Sequence, residues 1–261
     1  MSIRRFATAA LLAAFATAGT AAEDGAGWYP SKYGANDTLG AINNLSPAKV
    51  VEAAKLITTG KTYPLGVPTG RDSPAYPPRQ YALTVLSPGD GTGATMGANR
   101  ATGNDDLLYT WMGIGSQIDG LGHMGIDHVY YNGNHASDFV TPRGLTKLST
   151  DKLPPIVSRG VLIDVAGHLG EAILEAGTVI TPALIEAIAS DNDVEIGLGD
   201  VVLFHTGWLN VADTDPERFM SGEPGIGVAA AEYLAERGVV AVGSDSWAVE
   251  VLPGEDPSLG F

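Results

Sequence analysis

The stretch VAAAEYLAERGVVAVGSDS, Val228 to Ser246, sets a helix, its stop and a strand side by side. VAAAEYLAERG (Val228–Gly238) reads as a helix that ends on a glycine suited to the left-handed C-cap. VVAVG (Val239–Gly243) then reads as an apolar strand. Working outward, the same grammar recurs. Thr181-Pro182 opens a helix over ALIEAIAS, and VVLF (Val201–Phe204) follows as a strand. Ser46 is placed to N-cap a helix with Pro47 in its first turn, AKVVEAAKLI, which stops before Gly60. Further strands are expected at YALTVL (Tyr81–Leu86), LLYTWM (Leu107–Met112) and VLIDV (Val161–Val165). Several are apolar throughout, which predicts strands covered on both faces. Helices and strands mix without strict alternation or an internal repeat. The expected class is therefore α/β, mixed β-structure flanked by helices, rather than a TIM barrel. No long linker divides the chain, so one domain is expected over residues 23–261.

The first residues predict an exported protein. Arg4 and Arg5 precede an Ala-rich apolar run, and the small residues Thr20-Ala21-Ala22 stand before Glu23-Asp24. This is the pattern of a secretory signal peptide over residues 1–22, and the run is too short to span a bilayer. A periplasmic or secreted protein with no membrane segment in its mature form is the expectation. The chain has no Cys, which excludes disulfides and thiolate chemistry. It holds 30 Asp+Glu against 15 Lys+Arg, a net charge of −15, with no basic cluster to offset it. Such a surface repels phosphate backbones, so nucleic acid is not an expected partner.

Chemistry concentrates in GIGSQIDGLGHMGIDHVYYNGN, residues 113–134. Two of the five histidines, His123 and His128, lie here and a third, His135, follows directly, with Asp119 and Asp127 interleaved. The density of glycine makes the stretch a loop, and loops on a rigid scaffold are where binding groups gather. Asp119 and His123 offer a hard oxygen and an imidazole, a pair suited to zinc, manganese or iron. Spacing alone also allows Asp119 to cap a turn and the histidines to be ordinary loop residues. No GxSxG elbow, phosphate loop or HExxH is present. PGDGTGATMG (Pro88–Gly97) does not fit a dinucleotide fingerprint and reads as a surface loop, placed to cover a site.

GSQIDGLGH (Gly115–His123) resembles the signature HxGTHxDxPxH of the cyclase family, which includes kynurenine formamidases (arylformamidases) and isatin hydrolase. The likeness continues in DVVLFHTGW (Asp200–Trp208), in PGIGVAAAEYLAERGVVAVGSDSWAVE (Pro224–Glu250) and in NDTLGAINNLSP (Asn36–Pro47). The resemblance implies a swivelling β/β/α-like fold, often homo-oligomeric. It implies a divalent-metal hydrolase, zinc or manganese, acting on formamides, cyclic amides or related small carbonyl substrates. Its best-known activity is the arylformamidase step of tryptophan catabolism to kynurenine. Carried over by position, Asp119 matches a metal ligand and His123 the proton-shuttling histidine. Gln117 stands where the family has a ligand His, and Gly113 where it has another, which predicts one metal or none. The family's remaining His and Glu ligands follow the G-x-D turn at a distance this chain does not reach, so a domain lacking its C-terminal part is expected. Trp208 is a candidate for lining the substrate pocket or for packing. His205 and Asp245 read as a structural histidine and a turn cap, and His128, His135 and His168 as structural. The alternative function is an exported, non-catalytic small-molecule-binding protein on the same fold.

Overall fold

The computed structural model describes residues 27–86, 95–256, 258 and 259. The expected signal peptide and most of the Pro88–Gly97 loop lie outside these residues. Ser46 and Thr181 start helices by the same device. The Ser46 hydroxyl accepts from the Lys49 N–H and the Thr181 hydroxyl from the Leu184 N–H, each with proline next in the chain. The first gives α1 (Pro47–Ala54). Strands β1 (Tyr81–Leu86) and β2 (Asp105–Thr110) follow. Then come β3 (Val129–Tyr130), β4 (Asn134–His135), α2 (Ala136–Phe139), β5 (Val140–Thr141) and β6 (Gly144–Leu145). The second half is β7 (Gly160–Asp164), α3 (Val165–Leu169), β8 (Val179–Ile180), α4 (Pro182–Asp191) and β9 (Val201–His205). It continues through α5 (Leu209–Ala212), α6 (Pro216–Ser221), β10 (Gly225–Ile226), α7 (Val228–Glu236) and β11 (Ala241–Ser244). Past α7, Gly238 takes φ 74°, the left-handed stop expected of it.

Strands β11, β9 and β7 form a parallel sheet in that order. β8 pairs in parallel with β10, while β1–β2, β3–β4 and β5–β6 are antiparallel pairs. The core forms on one face of the parallel sheet. Val161 and Ile163 of β7, with Val202 and Phe204 of β9, pack against Ile185 and Ile188 of α4 and Ala230 and Leu234 of α7. Each such aliphatic side chain contributes roughly 1.5–3 kcal/mol on burial.

The expectation of strands covered on both faces is corrected here. β7 alternates strictly between buried and exposed, and Leu162 is 64% exposed. β1 and β2 go further: Leu83 faces Leu108, and both are exposed, as are Val85, Leu86, Leu107 and Tyr109. Apolar runs in this chain therefore mark strands with one covered face, or an uncovered pair, because no second layer of helices packs on them.

Asp200, fully buried before β9, ties three segments together. Lys49 Nζ of α1 lies 2.8 Å away, and Arg159 donates to it through Nε at 3.0 Å. Burial alone would raise this carboxyl, but the bonds from Arg159 and Lys49 outweigh it and hold it below the usual range. No described helix is long and apolar enough to cross a membrane.

Candidate functional site

Residues 113–128 carry no helix or strand, as their glycines predict, whereas the rest of the expected loop, to residue 134, holds β3 and the start of β4. The loop is nevertheless braced. Ile114 is buried, and the Val67 N–H donates to Ser116 Oγ at 2.9 Å. Leu121 lies against Gly40 of the opening segment. That segment is tied to the end of the same stretch. Tyr131 donates to Asp37 Oδ2 at 2.8 Å, and Asn132 Nδ2 donates to the carbonyls of Gly34 and Asp37. Burial and the Asp37 carboxylate push the Tyr131 hydroxyl up to about 12, so it remains a donor.

On this braced loop the side chains of Asp119 and His123 come together. His123 Nε2 lies 3.7 Å from Asp119 Oδ2, with about half of each side chain exposed. Gln117 is exposed two residues earlier. The three donors are not engaged in side-chain hydrogen bonds with other described residues, so they are open to a ligand. With His123 matched to the proton shuttle, Asp119 and the neutral amide of Gln117 leave two protein ligands, short of the three a catalytic zinc takes. Among the described residues no group of three or more His, Asp or Glu side chains is close enough to hold a metal ion. Asp119 and Gln117 are therefore an incomplete ligand set by themselves. Gly113 contributes no donor, and its space is used differently. Arg79 donates through Nη1 to the Gly113 carbonyl at 3.0 Å. A methyl group at position 113 would sit 2.7 Å from that nitrogen and 3.1 Å from Gln117 Oε1.

The carboxyl ends of the parallel strands bring together groups that the sequence reading set aside. Asp164 ends β7 and His205 ends β9, directly opposite in register. Asp164 Oδ1 lies 2.7 Å from His205 Nδ1. The bonds from His205 and from the Gly167 N–H hold the Asp164 carboxyl below its usual range. Asp245, just past β11, accepts from the Thr206 and Gly207 N–H groups and the Thr206 hydroxyl, so it does cap a turn. His205 Nε2 stands 3.9 Å from its Oδ2. An imidazole fixed at Nδ1 by a carboxylate, at the edge where open α/β sheets bind ligands, can take up or release a proton at Nε2. The available signal was position: each residue closes an apolar strand.

Of the two roles expected for Trp208, the structure gives packing and not pocket lining. Trp208 is fully buried with Val211, Ala212 and Phe219, and its Nε1 donates to the Phe219 carbonyl at 3.3 Å. It packs the core and lines no open pocket. His135 caps α2, accepting from the Ser137 N–H, and His168 pairs with Asp191 at 3.4 Å. His128 holds a positive φ of 64° beside His135.

The family profile described as "Putative cyclase" matches residues 63–251. A solved structure described as a novel cyclase is 29% identical, with a TM-score of 0.77 over 85% of this chain and 79% of its own. An isatin hydrolase bound to the product analogue thioisatinate is 20% identical, with a TM-score of 0.50 over 79% of this chain and 76% of its own. Isatin hydrolase A from Ralstonia solanacearum is also 20% identical, with a TM-score of 0.54 over 79% of this chain and 75% of its own. No curated protein matches.

Proposed function

Because the chain belongs to the cyclase family, we propose that it hydrolyses an amide, formamide or lactone bond in a small carbonyl compound at the loop from Gly113 to His123. The observation that carries this reading is the open Asp119–His123 pair on a braced loop. His123 takes a proton from the attacking water as the new C–O bond forms. It returns the proton to the leaving nitrogen or oxygen as the C–N or C–O bond breaks. A divalent cation, zinc or manganese, supplies a polarised carbonyl and a more acidic water when bound, and Asp119 with Gln117 would hold it. The names of the isatin hydrolases that share the fold support hydrolysis as the reaction class, and aryl formamides are the first substrates to try.

A second reading, a non-catalytic binding protein, is favoured by Gly113 and Gln117 standing at two ligand positions. Turnover of a panel of formanilide, isatin and an aryl lactone separates the two. Hydrolysis that is lost in His123→Ala supports the enzyme. No turnover of any panel member, with retained binding, supports the alternative.

We further propose export, on the pattern of residues 1–22, and a homo-oligomer, on the apolar β1–β2 pair. A two-stranded pair with both faces exposed is marginal alone in water, and a second copy would cover Leu83 and Leu108.

A further inference from the structure

Arg79 is an exposed cation and one of several that form no ion pair among the described residues. The ion-paired ones among the described residues are Lys49, Lys152, Arg159, Arg218 and Arg237. Arg79 instead gives one N–H to the Gly113 carbonyl and has no carboxylate partner among the described residues. Its backbone is fixed. The Arg79 N–H donates to the Tyr76 carbonyl at 2.8 Å. Tyr76 is docked in turn, its hydroxyl on the Met220 carbonyl at 2.8 Å and its ring edge-on to Trp247 at 4.9 Å. The guanidinium occupies space beside position 113 that a side chain would contest, since a methyl group there would come within 2.7 Å of Nη1. Gln117 Oε1 flanks the same point, and Asp119 follows two residues later.

We propose that Arg79 is a specificity-determining residue that binds a carboxylate on the substrate, so that the loop takes anionic carbonyl compounds. With Nη1 on the Gly113 carbonyl, the Nε and Nη2 donors have no partner among the described residues. A guanidinium fork matches a carboxylate in two parallel hydrogen bonds. In a chain of net charge −15, an anion is repelled over most of the surface and needs a fixed cation where it lands. Gly113 thus has a positive role: it admits the cation to the position where the resemblance places a ligand side chain. This inference rests on the hydrolase reading for its site, but its test does not depend on turnover.

The test is calorimetric titration of the full chain with 2-acetamidobenzoate and with acetanilide, which share an amide and differ by the carboxylate. The wild type is expected to bind the acid at least about tenfold more tightly, the range of a charge-assisted pair. Arg79→Gln should bring the two ligands to near parity. Gly113→Ala should do the same with the charge retained, because the added methyl displaces the guanidinium. Arg79→Lys should keep part of the preference and serves in place of Arg79→Gln if circular dichroism shows that variant unfolded. Parity in the wild type, a preference that survives Arg79→Gln, or no binding of either ligand would overturn the proposal. A preference that tracks Arg79 without hydrolysis of 2-formamidobenzoate would leave it standing while removing the hydrolase reading.

Discussion

Glu223 offers the sharpest test of the packing behind the site. Its side chain is fully buried, and it accepts the N–H groups of Trp247 at 2.9 Å and Ala248 at 3.1 Å. It thereby fixes the segment that leaves β11 and carries Asp245. Burial first, then the nearby Glu250 and Asp245 carboxylates, push its pKa from 4.5 up to about 8, against the two backbone bonds that pull it down. The folded protein therefore keeps this proton where the unfolded chain has released it, and stability falls as pH rises through that interval. At about 1.4 kcal/mol per pH unit for one proton, levelling off near pH 8, the loss from about pH 6 to pH 8 is roughly 2 kcal/mol. Glu223→Gln keeps a carbonyl acceptor for the two N–H groups and removes the titration. Urea unfolding of both proteins at a series of pH values measures the difference, in which the shared titrations of other groups cancel. The wild type should lose about 2 kcal/mol relative to the variant across that range, and the two should agree within about 1 kcal/mol near pH 4, where the carboxyl is protonated in both states. Parallel profiles would refute the reasoning, because they would mean that Glu223 is solvated or already ionised.

Trp208→Ala should destabilise the fold by about 3–5 kcal/mol in the same urea assay, as truncation of a buried aromatic does. Trp208→Phe should leave KM for any substrate close to the wild-type value, which a pocket-lining residue would not. Leu83→Asp with Leu108→Asp should convert an oligomer to monomers, read by light scattering during size-exclusion chromatography. Treatment with a strong chelator followed by gel filtration should abolish turnover, and zinc or manganese should restore it, because one carboxylate and one amide hold a cation weakly.

The local grammar of the fold was legible. Ser46-Pro47, Thr181-Pro182 and Gly238 marked helix ends that the structure keeps, and YALTVL became β1 without change. Boundaries shifted where an apolar run crossed a turn: LLYTWM contributes only its first four residues to β2, which begins at Asp105. Burial was less legible than type, since Leu162 and Leu108 are as apolar as Ile163 yet face outward. The site was legible where its groups are neighbours in sequence, as Asp119 and His123 are. It was hidden where partners are distant. Asp164 and His205 are 41 residues apart and meet only through strand register. Arg79 and Gly113 are 34 apart, and the empty side-chain position at Gly113 gains its meaning only from the guanidinium beside it.

The central claim is that the loop carrying Asp119 and His123 is a hydrolytic site with a bound cation. Metal content and turnover of formanilide, measured side by side on wild type and Asp119→Asn, test it most directly. The account predicts that the wild type retains zinc or manganese and turns over, and that the variant loses both while circular dichroism shows it folded. A variant with full metal content and full turnover would contradict the account.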